Sequence, residues 1–182
     1  MKHIHRFGLI MVFSIAALFS MGFRLQTDCE YTWFFEVLTP EDCPADDAVE
    51  TRGSIMQFER GYMIWLQSED AIYVLYTGER TPRWEAFDDT FIEGMPETDP
   101  DLESQRPPYT FQPRRGMGKV WREQDEVRRR LGWAVAEYEF PYTVQVQSGE
   151  QTGLYIAERL GGLFHLDAEG ADWALYDEDI QG

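Results

Sequence analysis

A sixteen-residue segment occurs twice in this chain, one hundred positions apart and without a gap. The copies, GYMIWLQSEDAIYVLY at 61–76 and GGLFHLDAEGADWALY at 161–176, each have two apolar runs around a polar break. This spacing predicts a β-hairpin with a four-residue turn, at 67–70 in the first copy and 167–170 in the second. The duplication therefore predicts a mainly β fold built from two tandem hairpin-based repeat units.

The rest of the chain divides around these hairpins. The predicted first repeat unit covers 55–93, with a strand at 84–91, and the second covers 114–182, with a strand at 138–147. Between them, residues 94–113 contain five prolines and predict a linker that sustains no helix. We expect a single short helix, at 122–131, which ends at Gly132. The fold class is thus mainly β with a minor α component.

The N-terminal residues predict where the protein works. Residues 7–23 carry no charge and follow Lys2 and Arg6, which is typical of an export signal. Two outcomes stay open for residues 1–23, a cleaved signal peptide or an N-terminal membrane anchor. Both place the later residues outside the cytoplasm, whereas a helix buried in a cytosolic domain would show an amphipathic period that this run lacks.

Cys29 and Cys43 are the only cysteines, and both lie in a segment, residues 24–54, that precedes the first repeat unit. In an oxidising compartment two such thiols are expected to form a disulfide. Lipid attachment at Cys29 is the alternative, but Gln26 and Thr27 are not the small apolar residues of a lipoprotein signal. Two cysteines give no support for a zinc or redox site, and we predict no metal and no cofactor.

The chain has a formal net charge of −17, with 33 acidic and 16 basic residues. A surface of this charge repels nucleic acid and anionic lipid. We therefore expect no nucleic-acid partner, and contact with a membrane only through residues 7–23. The charge is typical of a solvated extracellular domain.

Aromatic side chains are the first candidate ligand-binding residues. They make up 15% of the chain, and flat rings suit the stacking of sugars. The alternative is that they fill the core of a thin β-rich fold. The candidates are Trp65, Tyr73, Trp84, Trp133 and Trp173.

Basic side chains before and within the predicted helix form a second candidate set. Arg115, Lys119 and Arg122 concentrate positive charge in an otherwise acidic chain, which indicates a site for an anionic wall polymer. The alternative is that they pair with the surplus carboxylates.

Catalytic chemistry has little support in the sequence, and we predict no catalytic residue. His165 is the only histidine after residue 5, and it occupies the repeat position of Trp65, which favours a packing role. A glycosidase with paired carboxylates is the enzymatic alternative, with Asp88, Asp89 and Glu59 as its candidates.

Two short motifs carry a family resemblance. Leu131-Gly132-Trp133-Ala134 after a short helix, and Phe58-Glu59-Arg60-Gly61 before a hairpin, resemble the LGFP-type repeats of bacterial cell-envelope proteins. Trp133 and Ala134 stand where that repeat has Phe and Pro. The order of these motifs is also similar to that of uncharacterised modules on exported bacterial proteins.

The resemblance implies attachment to, or organisation of, the cell envelope, with a cell-wall polymer or an envelope protein as partner. We therefore expect a non-enzymatic extracytoplasmic binding or structural module. A carbohydrate-binding module that uses exposed aromatics is the first alternative, and a glycosidase is the second.

Overall fold

The computed structural model describes residues 28–177. The predicted signal peptide or anchor, residues 1–23, lies outside them. The described part is mainly antiparallel β, as predicted, with eight strands and three short helices. The strands are β1 (Val49–Phe58), β2 (Gly61–Leu66), β3 (Ala71–Tyr76), β4 (Trp84–Asp88), β5 (Phe140–Ser148), β6 (Leu154–Ala157), β7 (Leu163–Leu166) and β8 (Trp173–Tyr176). The helices are α1 (Pro100–Glu103), α2 (Arg115–Glu123) and α3 (Asp125–Leu131).

All eight strands belong to one sheet, in the order β4-β3-β2-β1-β5-β6-β7-β8. The first four strands and the last four each form a meander, and β1 and β5 join the meanders over seven residue pairs, from Val49↔Val146 to Ile55↔Phe140. Strand β1 also continues through the expected boundary at residue 54. The sheet is therefore continuous across both proposed repeat units, and the division of the chain into two units stays a prediction.

Both repeated hairpins form, but their turns differ. In the first, Leu66 pairs with Ala71 around the expected four-residue turn. In the second, Leu166 pairs with Trp173, so the turn has six residues and the prediction of four was wrong. The Asp167 side chain explains the wider turn, because its Oδ2 accepts the backbone N–H of Asp172 at 2.9 Å.

The sheet curls until its two edges almost meet. Trp84 on β4 donates its indole N–H to the carbonyl of Asp167 at 3.1 Å, and Trp173 on β8 donates to the carbonyl of Tyr76 at 2.8 Å. The backbone N–H of Arg83 adds a bond to the carbonyl of Gly170 at 2.9 Å. Since strand side chains alternate between faces, one face fills the inside of this nearly closed barrel. The inner core consists of Ile55, Ile64, Leu66, Tyr73, Leu75, Val144, Val146, Ile156, Phe164 and Leu166.

Helices α2 and α3 cover part of the outer face. Trp121 of α2 is fully buried there and donates its indole N–H to the carbonyl of Gly132 at 2.7 Å. Val127 and Leu131 of α3 pack against the same outer core. The β1–β3 side of this core is formed by Met56, Phe58, Met63, Ile72, Val74 and Tyr76.

The prediction of one continuous helix at 122–131 was wrong. Gln124 has an extended backbone, with φ −103° and ψ 93°, and separates α2 from α3. The break changes the chain direction, so that Trp121 and Leu131 both reach the outer core. The expected end at Gly132 is confirmed by its φ of 75°, which favours glycine.

The proline-rich segment is held against the domain and contains α1, so the expectation that it sustains no helix was also wrong. Pro100 occupies the first helical position, where it loses no intrahelical hydrogen bond, and Asp99 caps the N–H of Asp101 at 2.8 Å. Gln112, which is buried, accepts the N–H of Asp99 at 2.6 Å and donates to its carbonyl at 3.1 Å.

The predicted disulfide between Cys29 and Cys43 is present, with the Cα atoms 5.4 Å apart. The segment around it, residues 28–48, which we call the disulfide segment, lies on the outer face of β5 and β6. There the rings of Trp33 and Phe35 contact Tyr155 at centroid distances of 4.8 and 5.0 Å. The three helices within residues 28–177 are each too short to span a lipid bilayer.

A candidate ligand groove beside helix α2

The predicted aromatic residues lie mostly in the core. Tyr73 is buried inside the barrel, and the half-buried Trp84 and Trp173 use their N–H groups to close its edges. Trp133 is half-buried and contacts Trp121 at a centroid distance of 4.9 Å. These contacts favour the packing interpretation for four of the five rings and leave Trp65 as the one beside a cleft.

The three predicted basic residues do not form one site, because each has different surroundings. Lys119 pairs with Glu123 one helical turn away, at 2.5 Å. Arg122 donates through Nη2 to the carbonyl of Pro96 at 2.9 Å, and so holds the proline-rich segment against α2. Arg115 alone of the three lines a cleft; its side chain is 62% exposed, and its Nε lies 4.0 Å from a carboxylate oxygen of Glu97.

Trp65, Arg115 and Asp89 line one open cleft of about 300 Å³. They come from β2, from the first turn of α2 and from the residue after β4. The sequence indicated the three for different roles, and the fold places them together. Ser54 and Glu139 complete the part of the wall that lies between β1 and β5.

Asp89 is fixed against the N-terminus of α2. Its Oδ1 accepts the N–H of Phe91 at 3.1 Å, and a Cβ on Gly116 would lie 2.3 Å from the same oxygen. Only glycine therefore lets the carboxylate approach α2, whose dipole favours negative charge at this end.

Arg115 has φ +48°, which an arginine adopts at a cost of about 1–3 kcal/mol.

The remaining walls of the cleft are formed by Ser54, Glu139 and Trp65. The buried Ser54 donates its hydroxyl to Glu139 Oε2 at 3.0 Å and so orients that carboxylate. Trp65 is half-buried, and within residues 28–177 its buried Nε1 has no hydrogen-bond partner. The cleft thus presents an aromatic wall, fixed carboxylates and one exposed guanidinium.

Two further depressions continue this cleft. The second, of about 310 Å³, shares Arg115 and Glu139 with the first, and the third, of about 260 Å³, shares Arg114 and Glu137 with the second. We call the three depressions together the groove. Its aromatic and charged lining residues are Trp65, Asp89, Phe91, Glu93, Glu97, Glu103, Arg106, Phe111, Arg114, Arg115, Glu137, Tyr138 and Glu139.

The groove is locally acidic, because six carboxylates and three arginines line it. Arg106 bonds to Glu103 at 2.5 Å and thereby lowers the pKa of that carboxyl. Arg114 lies over the ring of Tyr138, 5.3 Å from its centroid. A hydrogen bond to Glu137 raises the pKa of the Tyr138 hydroxyl.

The three candidate glycosidase carboxylates are not brought together. Asp89 lines the groove, whereas Asp88 is exposed and Glu59 accepts the backbone N–H of Trp133 at 2.9 Å. The groove instead pairs Asp89 with Glu139, which the sequence did not indicate. That juxtaposition depends on the long-range pairing of β1 with β5 and has no local sequence signal.

His165 does not line the groove. His165 stacks on Tyr155 at a centroid distance of 4.4 Å, on the face that the disulfide segment covers. Within residues 28–177, no group of three or more His, Cys, Asp or Glu is placed to hold a metal ion.

Comparisons with protein-family models, with curated proteins and with solved structures found no match to this chain. The likeness to LGFP-type repeats therefore stays a resemblance of short motifs.

Proposed function

We propose that this protein is a non-enzymatic extracytoplasmic module of the cell envelope, and that the groove binds an envelope polymer. The disulfide supports the location, since such bonds persist in oxidising compartments. The observation that carries the binding role is the groove itself, where Trp65, Arg115 and Asp89 converge. Its extension through three adjoining depressions suits an elongated ligand.

Binding accounts for the groove better than nucleophilic catalysis. Ser54 has its hydroxyl committed to Glu139, and the histidine that would activate it, His165, lies on the face under the disulfide segment. Asp89 and Glu139 each accept a hydrogen bond from within the fold, which suits wall groups of fixed position.

A glycosidase is the second candidate, favoured by the presence of Asp89 and Glu139 in one cleft. If the protein is a glycosidase, it should turn over a glycan, and Asp89→Asn should abolish that turnover. Release of reducing sugar from envelope preparations measures this directly, and turnover would replace the binding proposal.

Sedimentation with isolated cell envelope tests the proposal. The purified protein should sediment with envelope material from the cells that make it, and Arg115→Ala should weaken this binding about tenfold, or 1.4 kcal/mol. Arg129→Ala is the matched control, because Arg129 is similarly exposed, 71% against 62%, but lies on α3 outside the groove. An absence of sedimentation, or equal losses in the two variants, would contradict the proposal.

A further inference from the structure

We infer that the ligand of the groove is an uncharged, hydroxyl-rich chain, an oligosaccharide with one sugar ring for each of the three depressions. This rests on the proposed function and adds the chemical class of the ligand. It predicts stacking chiefly on Tyr138, the most exposed ring of the groove, since Trp65 and Phe111 also pack against the outer core.

The groove repeats one combination of side chains along its length. Each depression is lined by an aromatic ring, an arginine and a carboxylate, and in the second and third the arginine also lies over one face of the ring, at 5.3 and 5.9 Å from its centroid. These are Trp65, Arg115 and Asp89 in the first, Tyr138, Arg114 and Glu137 in the second, and Phe111, Arg106 and Glu103 in the third.

This combination matches the chemistry of a sugar ring. One face of a pyranose carries C–H groups, which suit the face of an aromatic ring, and its edge carries hydroxyls that both donate and accept. Carboxylates accept from such hydroxyls and guanidinium groups donate to them, in charge-assisted hydrogen bonds. A pocket with aromatic walls and a few placed polar groups is the usual form of a small-ligand site.

The charges argue most directly against an anionic polymer. Six carboxylates beside three arginines repel a polyanion, in a chain whose net charge is already −17. The same charge attracts a polycation, but Glu103 and Glu97 already pair with Arg106 and Arg115, and each depression also presents an arginine. An uncharged chain meets no charge of its own sign and uses donors and acceptors alike.

The shared residues make the depressions continuous. Arg115 and Glu139 line both the first and the second, and Arg114 and Glu137 line both the second and the third. A linear ligand therefore passes from one to the next without crossing a gap, and a trisaccharide should bind more tightly than its monosaccharide.

The test is an array of neutral, anionic and cationic glycans, followed by calorimetry with the neutral trisaccharide that binds best. Poly(glycerol phosphate) and spermine serve as polyanion and polycation probes. We expect binding of a neutral trisaccharide that changes less than twofold between low and high salt, because its contacts involve no ligand charge.

Tyr138→Ala should weaken trisaccharide binding about tenfold. Tyr138 is 59% exposed, so its loss leaves the core intact. Tyr109→Ala is the matched control, since Tyr109 is 93% exposed and lies outside the groove.

Three results would overturn the inference: no neutral glycan bound, tighter binding of poly(glycerol phosphate) or spermine, or equal losses in the two tyrosine variants. If envelope sedimentation still depends on Arg115 in any of these cases, the proposed function stands and only the ligand class falls. If sedimentation fails as well, both fall together.

Discussion

Residues at equivalent positions of the duplicated segment do not have equivalent roles. Gly61 and Gly161 open the two copies and both have positive φ, 143° and 108°. A Cβ on Gly61 would lie 1.9 Å from the carbonyl oxygen of Leu75, whereas around Gly161 there is nothing within 4 Å. The first glycine is required by close packing and by backbone conformation, and the second by conformation alone.

Gly61→Ala should therefore destabilise the protein by about 3 kcal/mol or more, because it adds a steric overlap to backbone strain. Gly161→Ala should cost about 1–3 kcal/mol from strain alone. Gly78→Ala, with open space and no positive φ, should stay within about 0.5 kcal/mol of the parent. Urea unfolding measures all three, and equal losses at the two repeat positions would contradict this account.

Tyrosine side chains that are buried or half-buried should make the stability of the protein depend on pH. Burial raises the pKa of Tyr73, Tyr76 and Tyr142 above the usual value of 10.0. Hydrogen bonds to carboxylates add to the rise at Tyr73 and Tyr76. Above about pH 10 the unfolded chain loses phenolic protons that the folded state keeps.

The free energy of unfolding should thus hold its full tyrosine contribution below about pH 10 and fall as the pH rises further. Urea unfolding between pH 8 and 11 measures the fall. In Tyr142→Phe the decline should be shallower, and an unchanged slope would show that this hydroxyl does not contribute.

The helices and strands that were predicted correctly are those that depend on residues close together in the sequence. Apolar runs around polar breaks predicted β2–β3 and β7–β8, and Gly132 predicted the end of α3. The break at Gln124 was not predictable, because it serves the docking of Trp121 and Leu131 on a distant sheet face. The width of the second turn likewise depends on the bond between Asp167 and Asp172 and not on residue type alone.

One buried side chain, Gln147, holds the disulfide segment against the sheet. Gln147 on β5 is buried and accepts the N–H of Phe34 at 3.1 Å. It also donates to the carbonyls of Thr32 and Asp46, at 3.1 and 2.8 Å.

Gln147→Ala leaves these backbone groups without their partner and should lower the free energy of unfolding by about 2–3 kcal/mol. Gln145→Ala, on the same strand but exposed, should change it by less than about 0.5 kcal/mol. Equal effects would show that the segment is held by its other contacts.

At the scale of the whole molecule, one sheet connects both copies of the hairpin, and the groove arises from that connection. Trp65, Arg115 and Asp89 were each indicated by the sequence, but for stacking, for anion binding and for catalysis. Nothing local says that they meet, because they come from β2, α2 and the end of β4. Ser54 and Glu139 gave no signal at all, since their contact follows from the pairing of β1 with β5.

A continuous sheet should unfold as one unit. We expect a single transition in urea, with tryptophan fluorescence and far-ultraviolet circular dichroism coinciding, because the β1–β5 pairing couples the two meanders. Two separated transitions would instead support independent repeat units.

Amide hydrogen exchange with and without solubilised envelope polymer shows directly whether the polymer binds in the groove. Bound polymer should slow exchange in the segments that form the groove, at 89–93, 97–98, 103–106, 111–117 and 137–139, and leave the β6–β7 turn at 158–162 unchanged. Protection confined to that turn, or to the disulfide segment, would place the ligand elsewhere and contradict the account.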